Sequence, residues 1–243
     1  MGLLSEIRSV AFWVMGILFC MTADAAAQSS TTLWGNLTFD WVRDNITFEV
    51  DFEPKVLVSA PPGEPGWRNL DITPSIEYDR KRIDFTGELV VGRTKQTDHL
   101  NTTEFTLRGG VRFHLVENPL KRRLVVRDWV RVESRNFFYS NDDPSDSTVR
   151  FRNRLELLIP VNRRSLNDDG VVTALIDWEW FIPWSDPTER FASRQRIRTG
   201  GSYRRSRAWR YFVFYIRNRS RSTLDEEFAT DENVFNFQIR RVW

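Results

Sequence analysis

The chain has 243 residues and a formal net charge of +2, with 35 Lys and Arg against 33 Asp and Glu. This near balance argues against non-specific binding to nucleic acid, and a mean hydropathy of −0.44 excludes a bundle of apolar transmembrane helices. Charged residues make up 28% and aromatic residues 14%, a combination that suits a β-barrel with a wet interior and an aromatic exterior.

Residues 1–27 have the pattern of a secretory signal peptide. Arg8 precedes an apolar run from Val10 to Met21, and small residues follow at A-x-A spacing up to Ala27. The run is shorter than the about 20 residues that a membrane anchor needs, so we expect cleavage near Ala27. The only cysteine, Cys20, lies in this segment, which excludes disulfide and thiol chemistry from the mature chain, residues 28–243.

Apolar and polar residues alternate with a period of two through most of the mature chain, which predicts an all-β fold. The clearest strand begins at Ile46, where Ile, Phe, Val and Phe alternate with Thr, Glu, Asp and Glu. In chain order the pattern predicts strands at residues 33–41, 46–53, 70–78, 83–91, 104–114, 123–139, 149–159, 172–181, 191–203, 209–216 and 233–243.

The number of strands conflicts with the usual rule for bacterial barrels. The pattern gives eleven segments, whereas single-chain bacterial barrels have an even number of antiparallel strands. We therefore predict a single antiparallel transmembrane β-barrel of ten or twelve strands. Twelve is preferred, with a further strand near residues 160–171.

Three features favour a membrane barrel over a soluble secreted β-barrel binding protein, whose apolar faces would point inward. The polar faces are densely charged, as at Arg150, Arg152 and Arg154. The segments are long enough for the roughly 9–11 residues that cross a membrane at a tilt. Tryptophans lie near predicted strand ends, where an interfacial girdle would place them: Trp34, Trp41, Trp129, Trp178, Trp180, Trp184, Trp209 and Trp243.

Asp128 does not fit a lipid-facing surface. It shares the apolar face of its segment with Val126, Val130 and Val132. A β-bulge near this position is expected to turn the carboxylate inward.

The last segment ends the printed chain on an aromatic residue. Its apolar positions are Phe235, Phe237, Ile239 and Trp243. This segment resembles the closing strand of bacterial outer-membrane β-barrels. The resemblance implies that barrel-assembly machinery reads the strand and that it pairs with the first strand.

A second resemblance rests on the opening Trp-bearing hairpin, the segment 151–156 (Phe-Arg-Asn-Arg-Leu-Glu) and the aromatic last strand. Together they resemble the domain of unknown function 2490 family of secreted bacterial β-strand proteins. The resemblance covers most of the mature chain. It implies an outer-membrane placement and brings no activity with it.

The charged faces divide by sign, with acidic residues on the early strands and basic residues on the later ones. The predicted lumen-lining residues are Glu49, Asp51, Glu53, Glu88, Arg108, Arg112, Arg127, Arg131, Arg150, Arg152, Arg154, Arg194, Arg196 and Arg198. One interpretation is a small channel whose transverse field steers small charged solutes. The other is a structural barrel whose lumen is filled by Arg–carboxylate ladders.

Catalytic and metal sites have little support in the sequence. An outer-membrane lipid-modifying enzyme is the alternative of a different class, but only His99 and His114 are available, and G-x-S-x-G is absent. Two histidines without cysteine predict no zinc site, and the acidic runs lack calcium-loop spacing. We therefore expect no enzyme, metal or cofactor.

The expected location is the outer membrane of a Gram-negative bacterium. The expected partners are outer-membrane lipid, lipopolysaccharide and the barrel-assembly machinery, with small charged solutes possible as ligands and no nucleic acid. The acidic loops around Asp142 and Asp225 are the segments that could meet lipopolysaccharide or divalent ions.

Overall fold

The computed structural model describes residues 29–97, 101–116, 124–141, 143–184, 194–220 and 228–243. The predicted signal peptide lies outside the described residues, as do His99, Asp142 and the acidic run 225–227. No helix within the described ranges is long and apolar enough to cross a membrane. The strands are β1 (Ser30–Arg43), β2 (Ile46–Ser59), β3 (Trp67–Arg80), β4 (Ile83–Gln96), β5 (Thr102–Val116), β6 (Val125–Tyr139), β7 (Asp146–Pro160), β8 (Val171–Pro183), β9 (Arg194–Ser206), β10 (Trp209–Ser220) and β11 (Ala229–Val242).

These eleven strands form one closed barrel in which each strand pairs with its sequence neighbours. All neighbouring pairs are antiparallel except β1 and β11, which run parallel from Ser30 opposite Glu232 to Asp40 opposite Val242. The all-β barrel is confirmed, whereas the expectations of an even strand number and a wholly antiparallel sheet are wrong. With an odd number of strands, the first and last point the same way, so the seam between them has to be parallel.

The additional strand suggested near 160–171 is absent, because residues 161–170 form bends and turns. Asn162 stabilises this loop by donating to the Gly170 carbonyl at 2.9 Å and accepting from the Val172 amide at 2.7 Å. Gly170 has a φ of 77°, a conformation that favours glycine. The loop brings Leu166 against the apolar cluster of the barrel interior.

The two ends of the barrel differ in their connections. At one end, which we call the turn end, two-residue turns follow Arg43 and Arg80, and loop 161–170 and Trp243 lie there too. Asp44 and Lys81 adopt positive φ in these turns, as tight hairpins require. At the opposite, loop end lie Ser30 and the connection 60–66.

The barrel presents apolar side chains outside and polar side chains inside. Along β1, Trp34, Asn36 and Asp40 are buried, while Leu37 and Trp41 are exposed. Among the described residues, 34 large apolar side chains are exposed and only 11 apolar side chains are buried. The interior of this barrel is therefore formed mainly by hydrogen-bonding and charged groups.

Two tryptophans of the expected girdle lie in the interior instead. Trp34 is buried in the apolar cluster, and the ring of Trp129 contacts the guanidinium of Arg131 at 4.1 Å. Both positions share the inward side of their strands with charged or polar residues, so alternation and not residue type decides their orientation.

Asp128 faces outward without a bulge. Its carboxylate accepts a hydrogen bond from the Asn153 amide group of β7 at 2.6 Å. The register of β5 and β6 shifts between His114 and Val116 instead. Asp128 lies only three residues into β6, near the turn end.

Candidate functional site

A cavity of about 950 Å³ occupies the barrel interior from the loop end to the middle. Twelve of the fourteen predicted lumen-lining residues line it: Glu49, Asp51, Glu53, Glu88, Arg108, Arg131, Arg150, Arg152, Arg154, Arg194, Arg196 and Arg198. Arg112 and Arg127 lie nearer the turn end. Arg112 pairs with Glu77 and Asp84, and Arg127 lies 3.7 Å from Glu156.

Glu179 on β8 is the centre of the ionic network beside this cavity. Its side chain is fully buried and lies within ion-pair distance of Arg131 (2.6 Å), Arg152 (2.7 Å), Arg154 (3.1 Å) and Arg196 (3.6 Å). These arginines come from β6, β7 and β9, so one carboxylate ties together strands on both sides of β8. Removing the acid would leave several buried cations facing one another.

Glu133 on β6 forms a second such centre. It is fully buried, pairs with Arg152, and lies 2.6 Å from Arg150 and 2.8 Å from Arg108. Glu88 links the two centres, since it lies 3.2 Å from Arg108 and 3.5 Å from Arg131. We call these six arginines and three glutamates the guanidinium wall: Arg108, Arg131, Arg150, Arg152, Arg154 and Arg196, with Glu88, Glu133 and Glu179.

Aromatic rings support the guanidinium wall from within the lumen. Arg150 and Arg152 lie 4.8 and 4.6 Å from the ring centre of Phe181. Arg154 and Arg131 lie over Trp129 at 5.2 and 4.1 Å. Such contacts with a guanidinium are favourable, and more so where water is excluded.

The opposite side of the cavity is acidic. Glu49, Asp51 and Glu53 are alternate residues of β2 and therefore share one face of the strand. Glu53 pairs with Lys55 at 2.5 Å, and Lys55 also binds Asp71 of β3 at 2.6 Å. Asp51 is held by two neutral donors, the Asn36 amide and the Thr38 hydroxyl, each at 2.8 Å. We call Glu49, Asp51, Glu53 and Asp71 the carboxylate wall.

The turn-end half of the interior is packed with side chains. An apolar cluster that includes Val125, Leu158, Leu175 and Phe214 fills part of it, and Leu166 packs against this cluster. Ion pairs fill more of it, including Arg240 with Asp40 at 2.6 Å. The cavity lining includes none of these described residues, so the cavity ends near the middle of the barrel.

The structure also places His114 and an acidic trio near the turn end. The carboxylates of Glu77, Asp79 and Asp84 offer oxygen atoms within 4.8 Å of one another. Two of the three already bind protein cations, since Arg112 contacts Glu77 and Asp84, and His114 Nε2 lies 2.6 Å from Asp84. Glu77 and Asp84 are therefore paired with side chains of the barrel.

Sequence reasoning missed Glu133 and Glu179, the two most buried acids of the network. Glu179 stands between Trp178 and Trp180, and Glu133 follows Val132, so neither belongs to a run of charged residues. The alternation of side chains along each strand could have found them, because both occupy inward positions of their strands, in register with the arginines of β7. Lys55 and Asp71 were missed as well, although Lys55 continues the alternate charged positions Glu49, Asp51 and Glu53 of β2.

The fold and this interior define a class: a closed, eleven-stranded β-barrel with an apolar exterior and a charged lumen. Residues 33–228 match the family model described as a protein of unknown function, DUF2490, and the chain belongs to this family. Searches of curated proteins and of solved structures found no match.

Proposed function

We propose that this protein is an integral outer-membrane β-barrel of a Gram-negative bacterium whose lumen is closed by side chains, and that it is not an open channel. The observation that carries the proposal is the inverted polarity of the barrel: its exterior is apolar and its interior charged. In a soluble barrel the same exterior would be exposed to water at a large cost in free energy.

The exterior supports this placement in detail. The strands have 12 to 15 residues, more than the roughly 9–11 needed to cross a bilayer at a tilt. Exposed aromatic side chains occur toward both ends, with Trp41, Trp209 and Trp243 at the turn end and Phe138 and Trp184 at the loop end. This distribution is typical of the two interfacial girdles of membrane barrels.

Arg241 fits the same placement. It faces outward, and its guanidinium lies 4.8 Å from the ring centre of Trp209 and 5.2 Å from that of Trp243. A long basic side chain held by aromatic rings at the rim can keep its charge in the headgroup region while its carbon chain stays in lipid. An outward-facing arginine is therefore compatible with an aromatic girdle at this end of the barrel.

The packed turn-end half supports a closed lumen over a pore. Water-filled porins have about sixteen strands, and eight-stranded barrels have room only for side chains. In this eleven-stranded barrel the cavity ends near the middle. We propose that the loop end faces outward, because longer connections usually lie outside the cell, so that the cavity opens to the exterior and the turn end lies in the periplasm.

The proposed partners follow from this placement. They are outer-membrane lipid and lipopolysaccharide around the apolar exterior, and the barrel-assembly machinery during insertion. We propose no catalytic role, since His114 pairs with Asp84 near the turn end and does not line the cavity. Phospholipid turnover that falls when His114 is replaced by Gln would contradict this part of the proposal.

Two measurements test the proposed function. The first is gel migration of membrane fractions with and without heating: an outer-membrane barrel stays in the outer-membrane fraction and changes its migration only after boiling. The second is conductance of the purified protein in planar bilayers, where a closed lumen gives no discrete steps. Recovery in the aqueous phase without detergent contradicts the membrane placement, and reproducible single-channel steps contradict the closed lumen.

A further inference from the structure

The two walls of the cavity carry opposite charge and face the same space. On the guanidinium wall six arginines contact three carboxylates, so the wall carries more positive than negative charge. On the carboxylate wall, Glu53 and Asp71 contact Lys55. Glu49 contacts Arg240, which also pairs with Asp40. Asp51 accepts hydrogen bonds from the neutral groups of Asn36 and Thr38. The cavity between them is therefore strongly polarised.

Trp34 marks the line where the walls meet. Lys55 lies 4.6 Å and Arg196 lies 5.3 Å from its ring centre. The same ring thus contacts one residue bound to the carboxylate wall and one that belongs to the guanidinium wall. Both Glu53 and Arg196 line the cavity and retain partial exposure, with side chains 21% and 18% accessible.

We propose that the cavity binds a small dipolar solute that carries an anionic group and a primary amine. The anionic group is bound by the guanidinium wall near Arg196 and Arg154, and the amine by Glu53 and Asp51. A partly desolvated charge without full compensation is costly, and such a ligand compensates both walls at once. A cavity of about 950 Å³ is at the upper end of the range for small-molecule sites.

A singly charged molecule compensates only one wall, and a neutral molecule compensates neither. Guanidiniums bind carboxylate and phosphate through paired, charge-assisted hydrogen bonds, so an anion alone gains these contacts but faces the carboxylates across the cavity. A cation alone meets the reverse conflict. The structure therefore assigns specificity to the combination of charges, a property that neither wall has by itself.

A matched set of probes tests this directly: 6-aminohexanoate, hexanoate and hexylamine share one carbon chain and differ in charge. Binding to the purified full barrel in a neutral glycoside detergent is measured by calorimetry, with detergent blanks. We expect 6-aminohexanoate to bind saturably, with a Kd at least tenfold lower than that of either singly charged probe. Equal affinity for one of the singly charged probes, or no saturable binding of 6-aminohexanoate, overturns the proposal.

Variants assign each charge to its wall. Arg196→Gln is expected to raise the Kd of 6-aminohexanoate and hexanoate at least threefold and to lower that of hexylamine, because it removes a guanidinium that opposes the cation. Glu53→Gln is expected to raise the Kd of 6-aminohexanoate and hexylamine and to lower that of hexanoate, because it removes a carboxylate that opposes the anion. The control is Arg93→Gln, because Arg93 lies on the exposed side of β4 and bonds to Thr103 at 3.1 Å. Identical effects of both wall variants on all three probes contradict the assignment.

This inference depends on the barrel interior and not on the membrane. A protein that proves water-soluble and still prefers 6-aminohexanoate would refute the proposed function and retain the dipolar site. A membrane barrel that does not prefer 6-aminohexanoate would retain the proposed function and refute the dipolar site. The comparison of probes uses the unaltered protein, so it remains decisive even if a variant fails to fold.

Discussion

Trp41 of β1 and Trp243 stack across the seam of the barrel, with ring centres 5.3 Å apart and planes within 8° of parallel. The backbone joins the same two segments, since the Trp243 amide donates to the Asp40 carbonyl at 3.0 Å and the Val42 amide donates to the Trp243 carbonyl at 3.2 Å. The aromatic stack therefore reinforces the outer side of the only parallel pairing among the described strands.

The stack should contribute measurably to stability. Aromatic pairs add about 0.5–1.5 kcal/mol beyond the burial of their surfaces, so a double-mutant cycle of Trp41→Ala and Trp243→Ala is expected to give a coupling free energy in this range. The measurement is the free energy of unfolding by urea or guanidinium in lipid vesicles. The control is the double-mutant cycle of Trp41 and Trp184. Trp184 contacts Phe151 and not Trp41, so this cycle should show no coupling. Coupling near zero for Trp41 and Trp243 would contradict the role of the stack.

On the inner side of the seam, polar side chains of β11 form hydrogen bonds with those of β1. The Asn236 amide group donates to the Asn36 amide oxygen at 2.6 Å, and that of Gln238 donates to the Thr38 hydroxyl at 2.9 Å. Arg240 continues this series by binding Asp40 at 2.6 Å and also Glu49. The parallel seam is thus specified by matched polar pairs inside and by aromatic contacts outside.

Arg240 and Arg241 are adjacent in sequence and should differ sharply on replacement. Arg240→Gln leaves Asp40 and Glu49 without their shared cation. We expect a loss between the about 0–1 kcal/mol of an exposed pair and the about 3–5 kcal/mol of a fully buried one. Arg241→Gln loses only exterior contacts with tryptophan rings, about 0.5–1 kcal/mol. Unfolding in the same vesicles distinguishes them, and the reverse ranking would show that β11 is turned the other way.

Glu179→Gln should be among the most destabilising replacements in the barrel. It retains the size of the side chain but removes the charge that four arginines contact, so a loss of about 3–5 kcal/mol is expected. Glu104→Gln is the matched control, because Glu104 is a quarter exposed and its ion pair is to Arg135 at 3.1 Å. We expect about 1 kcal/mol or less there. Similar losses for the two variants would indicate that the buried network contributes little.

The exterior of β5 allows a test of the proposed membrane placement. Leu107 and Leu115 are both exposed on the outer face, Leu107 nearer the middle of the strand and Leu115 next to its end. Leu107→Arg is expected to cost about 2–4 kcal/mol, and Leu115→Arg about 0–1 kcal/mol. The free energy of unfolding in vesicles provides the comparison. If both changes are neutral, the face is not in contact with lipid.

Much of this architecture is readable from the sequence, because a period of two is a local property. The alternation that begins at Ile46 assigns every residue of β2 to a face, and the structure extends the strand to Ser59. Residue type alone is misleading at Trp34 and Trp129. Their residue type suggested an interfacial girdle, but their positions in the alternating pattern place them inside the barrel. Where residue type and alternation conflict, alternation decides, because one register fixes the orientation of all side chains of a strand together.

The parallel seam and the charge centres were harder to predict, because both depend on pairing between distant residues. The sequences of β1 and β11 do not show in which direction the partner strand runs. The pattern gave the correct count of eleven strands, but the usual even number of strands in bacterial barrels led to a prediction of ten or twelve. Glu179 gathers arginines from three other strands, and its importance follows only from their register. The cavity likewise depends on which side chains reach across the lumen.

The central claim is that the apolar face of each strand contacts lipid and the charged face points inward. Single cysteines at positions 48–53, in a chain carrying Cys20→Ser, can be spin-labelled in lipid vesicles and their collisions with oxygen and with a water-soluble nickel complex compared. The account predicts a period of two, with oxygen favoured at Phe48, Val50 and Phe52 and suppressed at Glu49, Asp51 and Glu53. Nickel access that is greatest at Phe48, Val50 and Phe52 would contradict it.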